Sequence, residues 1–273
     1  MYAYDFEYDG KQLSDFGFII CHFDSSSGVN SADAGSEVSF TTASAHDGKR
    51  QYAVGSEYKK CLGTTFQICK NPNLYPNAEV ITAEEFRQLS RWLNRREYLW
   101  FHAYDWCDPE VKRPWVRASF NLERIDVGNE TVGIELTAVT DSPFGYGDEI
   151  VKIMEFTEGD MEQTLYDRND EIGECYPELE VEIGEAGTFT LSDNMTGCSC
   201  EVENCVADET LYFSGETMII ETDSVTHANT LANDFNYDFF RIGNTSGERE
   251  NVITATLPCT VTLRYRPILK DTI

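Results

Sequence analysis

Positive charge is scarce in this sequence. Its 273 residues include 21 Lys and Arg against 48 Asp and Glu, a formal net charge of −27. Nucleic-acid phosphates are held by basic side chains, so this balance excludes DNA or RNA as an expected partner. The deficit is uneven. Residues 1–142 carry 14 basic and 21 acidic side chains, a net of −7, and residues 143–273 carry 7 and 27, a net of −20. Long apolar runs are also missing. No stretch reaches the ~20 residues of a membrane-spanning helix, so no membrane insertion is expected. The opening MYAYDFEYDGK is acidic and aromatic and lacks the pattern of a secretory signal.

Histidine is equally sparse, with His22, His46, His102 and His227 far apart along the chain. There is no G-x-S-x-G, no P-loop and no H-E-x-x-H. No catalytic residue and no cofactor are therefore expected. Cysteines number nine, and in the absence of a signal they read as reduced, mostly isolated thiols. Cys198, Cys200 and Cys205 are the one cluster. It lacks a His or a fourth Cys at a zinc-site spacing, so it reads as a loop with incidental thiols and no metal. The acidic run Asp167 to Glu171 lacks the EF-hand spacing and reads as a solvated turn.

Helical periodicity occurs once, in Thr82 to Arg96. Thr82 can cap the first turn and Glu85 can reach back to it. Phe86, Leu89 and Leu93, with Trp92 beside them, form an apolar stripe, so the helix should pack on a sheet. Its charged face, with Arg87, Arg91 and Arg95, is the candidate contact with another subunit.

The remainder reads as β-strands. Tyr2, Tyr4, Phe6 and Tyr8 alternate along one strand or are split by a bulge, and Asp9-Gly10 turns into a hairpin. Leu13–Phe23 reads as a strand. Residues 24–37 are Gly- and Ser-rich and read as an arm or loop. Strand signals follow at Val38–Thr42, Gln51–Val54, Thr64–Cys69, Tyr98–Ala103, Val116–Arg124 and Thr131–Thr140. An aromatic loop from Trp106 to Trp115 is a second candidate contact, because Trp is enriched at interfaces. Asp141 to Gly147, with Pro143 and two glycines, marks a domain boundary. Beyond it, short strands at regular spacing, including one long run Val252–Tyr265, imply a helix-free β-sandwich. The expected domains are residues 1–142 and 143–273, in a mainly β chain. Tyr212 and Tyr237 offer ring faces for a carbohydrate, although aromatic residues of a sandwich more often fill its core.

The order of these segments resembles a known family. YDFEYDGKQLSDFGFIICHFD, VSFTTASAHDGKRQY, FQICKNP, RWLNRREYLWF, DSPFGYGDE and the closing DFNYDFFRIGNTSGERENVITATLPCTVTLRYRPI are similar to the distal tail proteins of phages with long, non-contractile tails. The resemblance implies a virion component, assembled in the host cytoplasm, and not an enzyme. It implies an N-terminal β-sandwich with one packed helix, which builds a hexameric ring, and a C-terminal galectin-like or jelly-roll β-sandwich that projects outward. It implies contacts with the tail tube protein, the tail-tip hub protein and receptor-binding proteins. The alternative is a carbohydrate-binding module that contacts host-surface polysaccharide through the C-terminal domain.

Overall fold

The computed structural model describes residues 3–23, 37–46, 48–76, 80–105 and 113–270. The chain forms two compact units, Met1–Gly147 with Leu269–Ile273, and Asp148–Ile268. Each has its own antiparallel β framework and its own hydrophobic core.

The first unit contains β1 (Ala3–Tyr8), β2 (Lys11–Gln12), β3 (Phe18–Cys21), β4 (Val38–Ser44), β5 (Gln51–Tyr58), β6 (Gly63–Lys70), the helix α1 (Ala83–Leu93), β7 (Leu99–Asp105), β8 (Val116–Val127), β9 (Glu130–Thr140) and β10 (Gly145–Tyr146). Seven strands join in the order β2-β1-β7-β8-β9-β6-β3. Asp9 and Gly10, both at positive φ, make the two-residue turn whose twist suits a hairpin, and Gly128 and Asn129 repeat it between β8 and β9. The register of β1 shifts between Ala3 and Asp5, so Tyr4 is exposed while Phe6 and Tyr8 are buried. That bulge splits the aromatic alternation at the start of the chain.

Leu13–Phe23 is not one strand. Leu13–Phe16 is a 3-10 turn, and β3 begins only at Phe18. Local polar chemistry outweighs the β-like composition here: the Gln12 amide donates to Asp15 Oδ2 at 3.1 Å, and Gly17 takes a left-handed φ of 76°. A Cβ at Gly17 would also meet the Tyr75 ring at 2.8 Å.

The capping box of α1 forms as the sequence implies. Glu85 N–H donates to Thr82 Oγ1 at 3.3 Å, and Thr82 N–H donates to Glu85 Oε2 at 2.7 Å. Leu89, Trp92 and Leu93 are buried, and Phe86 is half-buried with the Arg124 guanidinium 4.4 Å over its ring. Burial of each large apolar side chain contributes roughly 1.5–3 kcal/mol. Trp92 carries more of the packing than the stripe suggested. It stacks on Phe16 at 4.3 Å and on Phe6 at 5.6 Å, and its indole N–H donates to Tyr8 O at 3.0 Å. The helix stops at Leu93, short of Arg96. Asn94 leaves the helical conformation, and its side-chain amide donates to Phe120 O at 2.8 Å.

The second unit contains β11 (Ile150–Phe156), β12 (Glu162–Tyr166), β13 (Gly173–Cys175), β14 (Glu178–Ile183), β15 (Gly187–Asp193), β16 (Ser199–Cys205), β17 (Thr210–Ser214), β18 (Ile219–Thr222), the short helix α2 (Leu231–Asp234), β19 (Ile242–Asn244), β20 (Glu250–Ala255) and β21 (Cys259–Tyr265); β22 (Ile268–Leu269) follows at the division between the units. A five-stranded sheet, β11-β21-β14-β17-β18, faces a four-stranded sheet, β12-β20-β15-β16. Met154, Val181, Val261 and Leu263 from the first and Phe189, Leu191, Val202 and Ile253 from the second share one core, which makes a β-sandwich.

Four sequence expectations change in this unit. Val252–Tyr265 is two strands, one in each sheet, broken at Leu257-Pro258, because proline has no N–H for the ladder. Residues 198–205 are not a loop: Cys200 and Cys205 lie on β16, and all three thiols are buried. The unit is not free of helix, since α2 supplies one turn. The run from Asp167 is solvated only in part, with Arg168 and Asp170 exposed but Asp167 and Asn169 buried. Asp167 is fully buried, and its carboxylate accepts from Asn169 N at 3.1 Å, Asn169 Nδ2 at 2.6 Å and the Asn244 amide. Asn169 Oδ1 in turn accepts from Ile268 N at 2.7 Å.

Candidate functional site

The three arginines expected to form one contact face do different things. Arg87 lies 3.7 Å from Glu84 one turn earlier on the helix, an exposed pair of small energetic weight. Arg95 folds back over the helix end, with Nε donating to Trp92 O at 3.3 Å and Nη2 lying 3.5 Å from Asp9. A cation there complements the negative end of the helix. Arg91 is exposed, with no partner among the described residues. The N-terminal turn is fixed differently. Lys70, on β6 and nearly buried, reaches Glu85 Oε1 at 2.8 Å. Burial opposes ionisation of Glu85, but the hydrogen bonds from Lys70 and Thr82 outweigh it and hold the carboxyl below its usual value.

Trp106 lies outside the described residues. Trp115 does not stand alone on the surface. It stacks on His102 at 4.6 Å, and Trp100 meets both Trp115 and Tyr146 edge to face. Backbone bonds of 2.7 Å run both ways between Trp115 and Tyr146. The result is a half-buried aromatic patch on the outer side of β7.

An exposed apolar feature of the first unit lies away from these contact residues, on β4 and β5. Among the described residues, β4 and β5 pair only with each other, as a two-stranded ribbon. Nearly every residue along both strands is exposed, with Phe40 at 62%, Tyr52 at 58% and Val54 at 65%. Tyr58 anchors the base by meeting the Phe144 ring edge-on at 4.7 Å, and Lys59 pairs with Glu37 at 2.9 Å. A two-stranded hairpin alone is marginal in water, and exposed apolar surface of this kind signals an interaction site. Alternation located the strands, but only the sheet connectivity reveals that they lack a sheet to pack on.

In the second unit, Tyr212 stands on the outer side of β17, cross-strand from Glu180 and Glu221. Tyr237, 64% exposed, lies after α2, where its hydroxyl donates to Ala232 O at 2.7 Å and its ring meets Phe235 at 5.3 Å. No ring contact joins the two tyrosines among the described residues. Phe213, Phe235 and Phe240 fill the core instead of lining a groove.

A buried polar cluster is the other product of the fold. His227 Nδ1 lies 2.6 Å from Glu209 Oε1, and His227 Nε2 lies 3.5 Å from Asp234 Oδ2. Glu209 also accepts from Thr222 Oγ1 and, at 2.9 Å, from Val206 N. Cys205 sits beside this group, its thiol pushed up to about 11 by burial and then by the Glu209 charge. Hydrogen bonds from Thr230 and Asn204 hold the Asp234 carboxyl below its usual range. These residues are spread over residues 205 to 234, on either side of β17 and β18, so their meeting was invisible in spacing.

Comparison with known proteins agrees with both units. Residues 1–142 match the model of a family described as a phage tail protein N-terminal domain, and residues 144–265 match one described as a phage tail C-terminal domain. No curated protein sequence matches the chain. The crystal structure of the SPP1 Dit (gp 19.1) protein, presented as a paradigm of the hub adsorption apparatus in phages infecting Gram-positive bacteria, has the same fold. It superimposes with a TM-score of 0.64 at 11% identity, over 96% of this chain and 98% of that one. No helix of the described residues is long and apolar enough to cross a membrane. With family models matching it in both units and the architecture of a Dit protein throughout, the chain belongs to a phage tail protein family.

Proposed function

We propose that this chain forms a hexameric ring at the distal end of a phage tail, where it joins the tail tube to the tail-tip hub and the receptor-binding apparatus. The observation that carries this reading is the β4–β5 ribbon. It exposes Phe40, Tyr52 and Val54, and among the described residues no further strand covers them. A head-to-tail contact, in which the ribbon of one copy lies on the next, closes into a ring when the rotation between copies divides a full turn. The first unit builds the ring, and the strongly acidic second unit faces solvent. The protein acts by assembly, as a structural component of the virion put together in the host cytoplasm. Light scattering on the purified chain, followed by class averages from electron microscopy, tests this. Six-fold rings are expected, and a stable monomer at every concentration contradicts the reading.

A second reading concerns adhesion. The Tyr237 ring is largely exposed and its hydroxyl is tied to Ala232 O, so it is a preformed platform for a sugar face. Binding of the full chain to host cell-wall polysaccharide, lost in Tyr237→Ala, supports it. Absence of binding on a glycan array overturns it.

A further inference from the structure

We propose that Cys205, Glu209 and His227 bind one zinc-class divalent metal ion inside the second unit. Three separate segments deliver these residues: the end of β16, the residue before β17, and the 3-10 turn after β18. One donor atom from each lies within 4.8 Å of the other two. All three residues are enclosed, at 2% exposure for Cys205, 2% for Glu209 and 4% for His227.

Independent of that convergence, the polar groups around it are incompletely satisfied. His227 Nε2 and Asp234 Oδ2 are buried without a hydrogen-bond partner, although they face each other. Two carboxylates, Glu209 and Asp234, flank one imidazole, and neither has a Lys or Arg partner among the described residues. Glu209 is enclosed with no Lys or Arg against it among the described residues, and a buried carboxylate without such a partner is costly away from water. A divalent ion supplies the missing countercharge. Thiolate, imidazole and carboxylate together suit a borderline-soft ion such as Zn²⁺, whereas Ca²⁺ and Mg²⁺ prefer oxygen donors alone.

The geometry assigns each residue a part. His227 Nδ1, the nitrogen on the Glu209 side, donates to the ion. Nε2 keeps its proton and offers it to Asp234, an outer-shell carboxylate that orients the ring. Binding releases the Cys205 thiol proton. Within the ligand set itself, one thiolate, one carboxylate and a dication sum to zero charge, and the partly exposed Asp234 stays outside that set. Tetrahedral ligands at ordinary zinc distances lie roughly 3.3 Å apart, so the His227–Glu209 pair must open by somewhat under ~1 Å. The ion would tie the start of β17 and the turn after β18 to β16, and so brace one edge of the sandwich.

The test uses the full chain. Protein purified without chelator is analysed by elemental mass spectrometry, then stripped and titrated with Co²⁺. One equivalent of zinc, a near-ultraviolet thiolate-to-cobalt band and a melting temperature that falls on chelation are expected. The band should vanish in Cys205→Ala and weaken in His227→Gln. Metal-free protein that gives no thiolate band with Co²⁺ overturns the proposal, and so does a band that survives Cys205→Ala. If either variant fails to fold, the metal content and cobalt spectrum of the unaltered chain decide.

Discussion

Lys70 Nζ lies 2.8 Å from Glu85 Oε1, and this pair locks the first turn of α1 to strand β6. The same carboxylate closes the capping box with Thr82, so one side chain serves the helix and its docking together. Glu85→Gln keeps an acceptor for the Thr82 amide but leaves a nearly buried ammonium without its anion. The expected loss is about 1–3 kcal/mol in chemical denaturation. Its pH dependence has a definite sign. The folded carboxyl sits below its ordinary value, so its stabilisation is fully present above the unfolded value of ~4.3 and is lost as pH falls through the lower folded value. The gap between wild type and variant should therefore close toward acid. A gap that stays constant with pH would show that the pair is not what stabilises the turn.

Leu89→Ala removes a buried side chain from the helix–sheet seam and should cost ~2–5 kcal/mol. Arg91→Glu, on the exposed face, should change folding by no more than about 0.5 kcal/mol. Thermal melts of the two variants separate the faces, and an unchanged melt for Leu89→Ala would contradict the packing described.

Much of this fold was legible in the chain, and the misreadings have physical causes. The helix, its cap and the left-handed Asp9-Gly10 turn follow from local chemistry, and all are present. Leu13–Phe16 departed because an Asp15 contact and Gly17 favour a tight turn over extension. The Asp167 run and the Cys198–Cys205 stretch were misread because burial depends on partners distant in sequence, such as Asn244 and the core residues of the facing sheet. The His227 cluster and the unsupported ribbon are products of topology, which spacing along one chain does not encode.

Asp167→Ala should destabilise the second unit strongly. It strands the backbone N–H and the side-chain amide of Asn169 in a buried position, at about 1–3 kcal/mol for each unsatisfied group. Urea denaturation followed by tyrosine fluorescence measures the loss, and a change under ~0.5 kcal/mol would show that the network is dispensable.

Phe40→Ser combined with Val54→Ser should leave the melting of the chain in place, since both side chains are exposed. The same change should abolish assembly, because it removes the apolar surface offered to a neighbouring copy. Sedimentation velocity compares the two proteins. Unaltered oligomers from the double variant would free the ribbon from any role in the ring.

Cryo-electron microscopy of the tail tip of the phage that carries this chain tests the central claim most directly. Six copies in one ring at the distal end of the tube, with the β4–β5 ribbon of each copy against its neighbour, is the predicted result. A different copy number, or density for this chain away from the distal end, would contradict it.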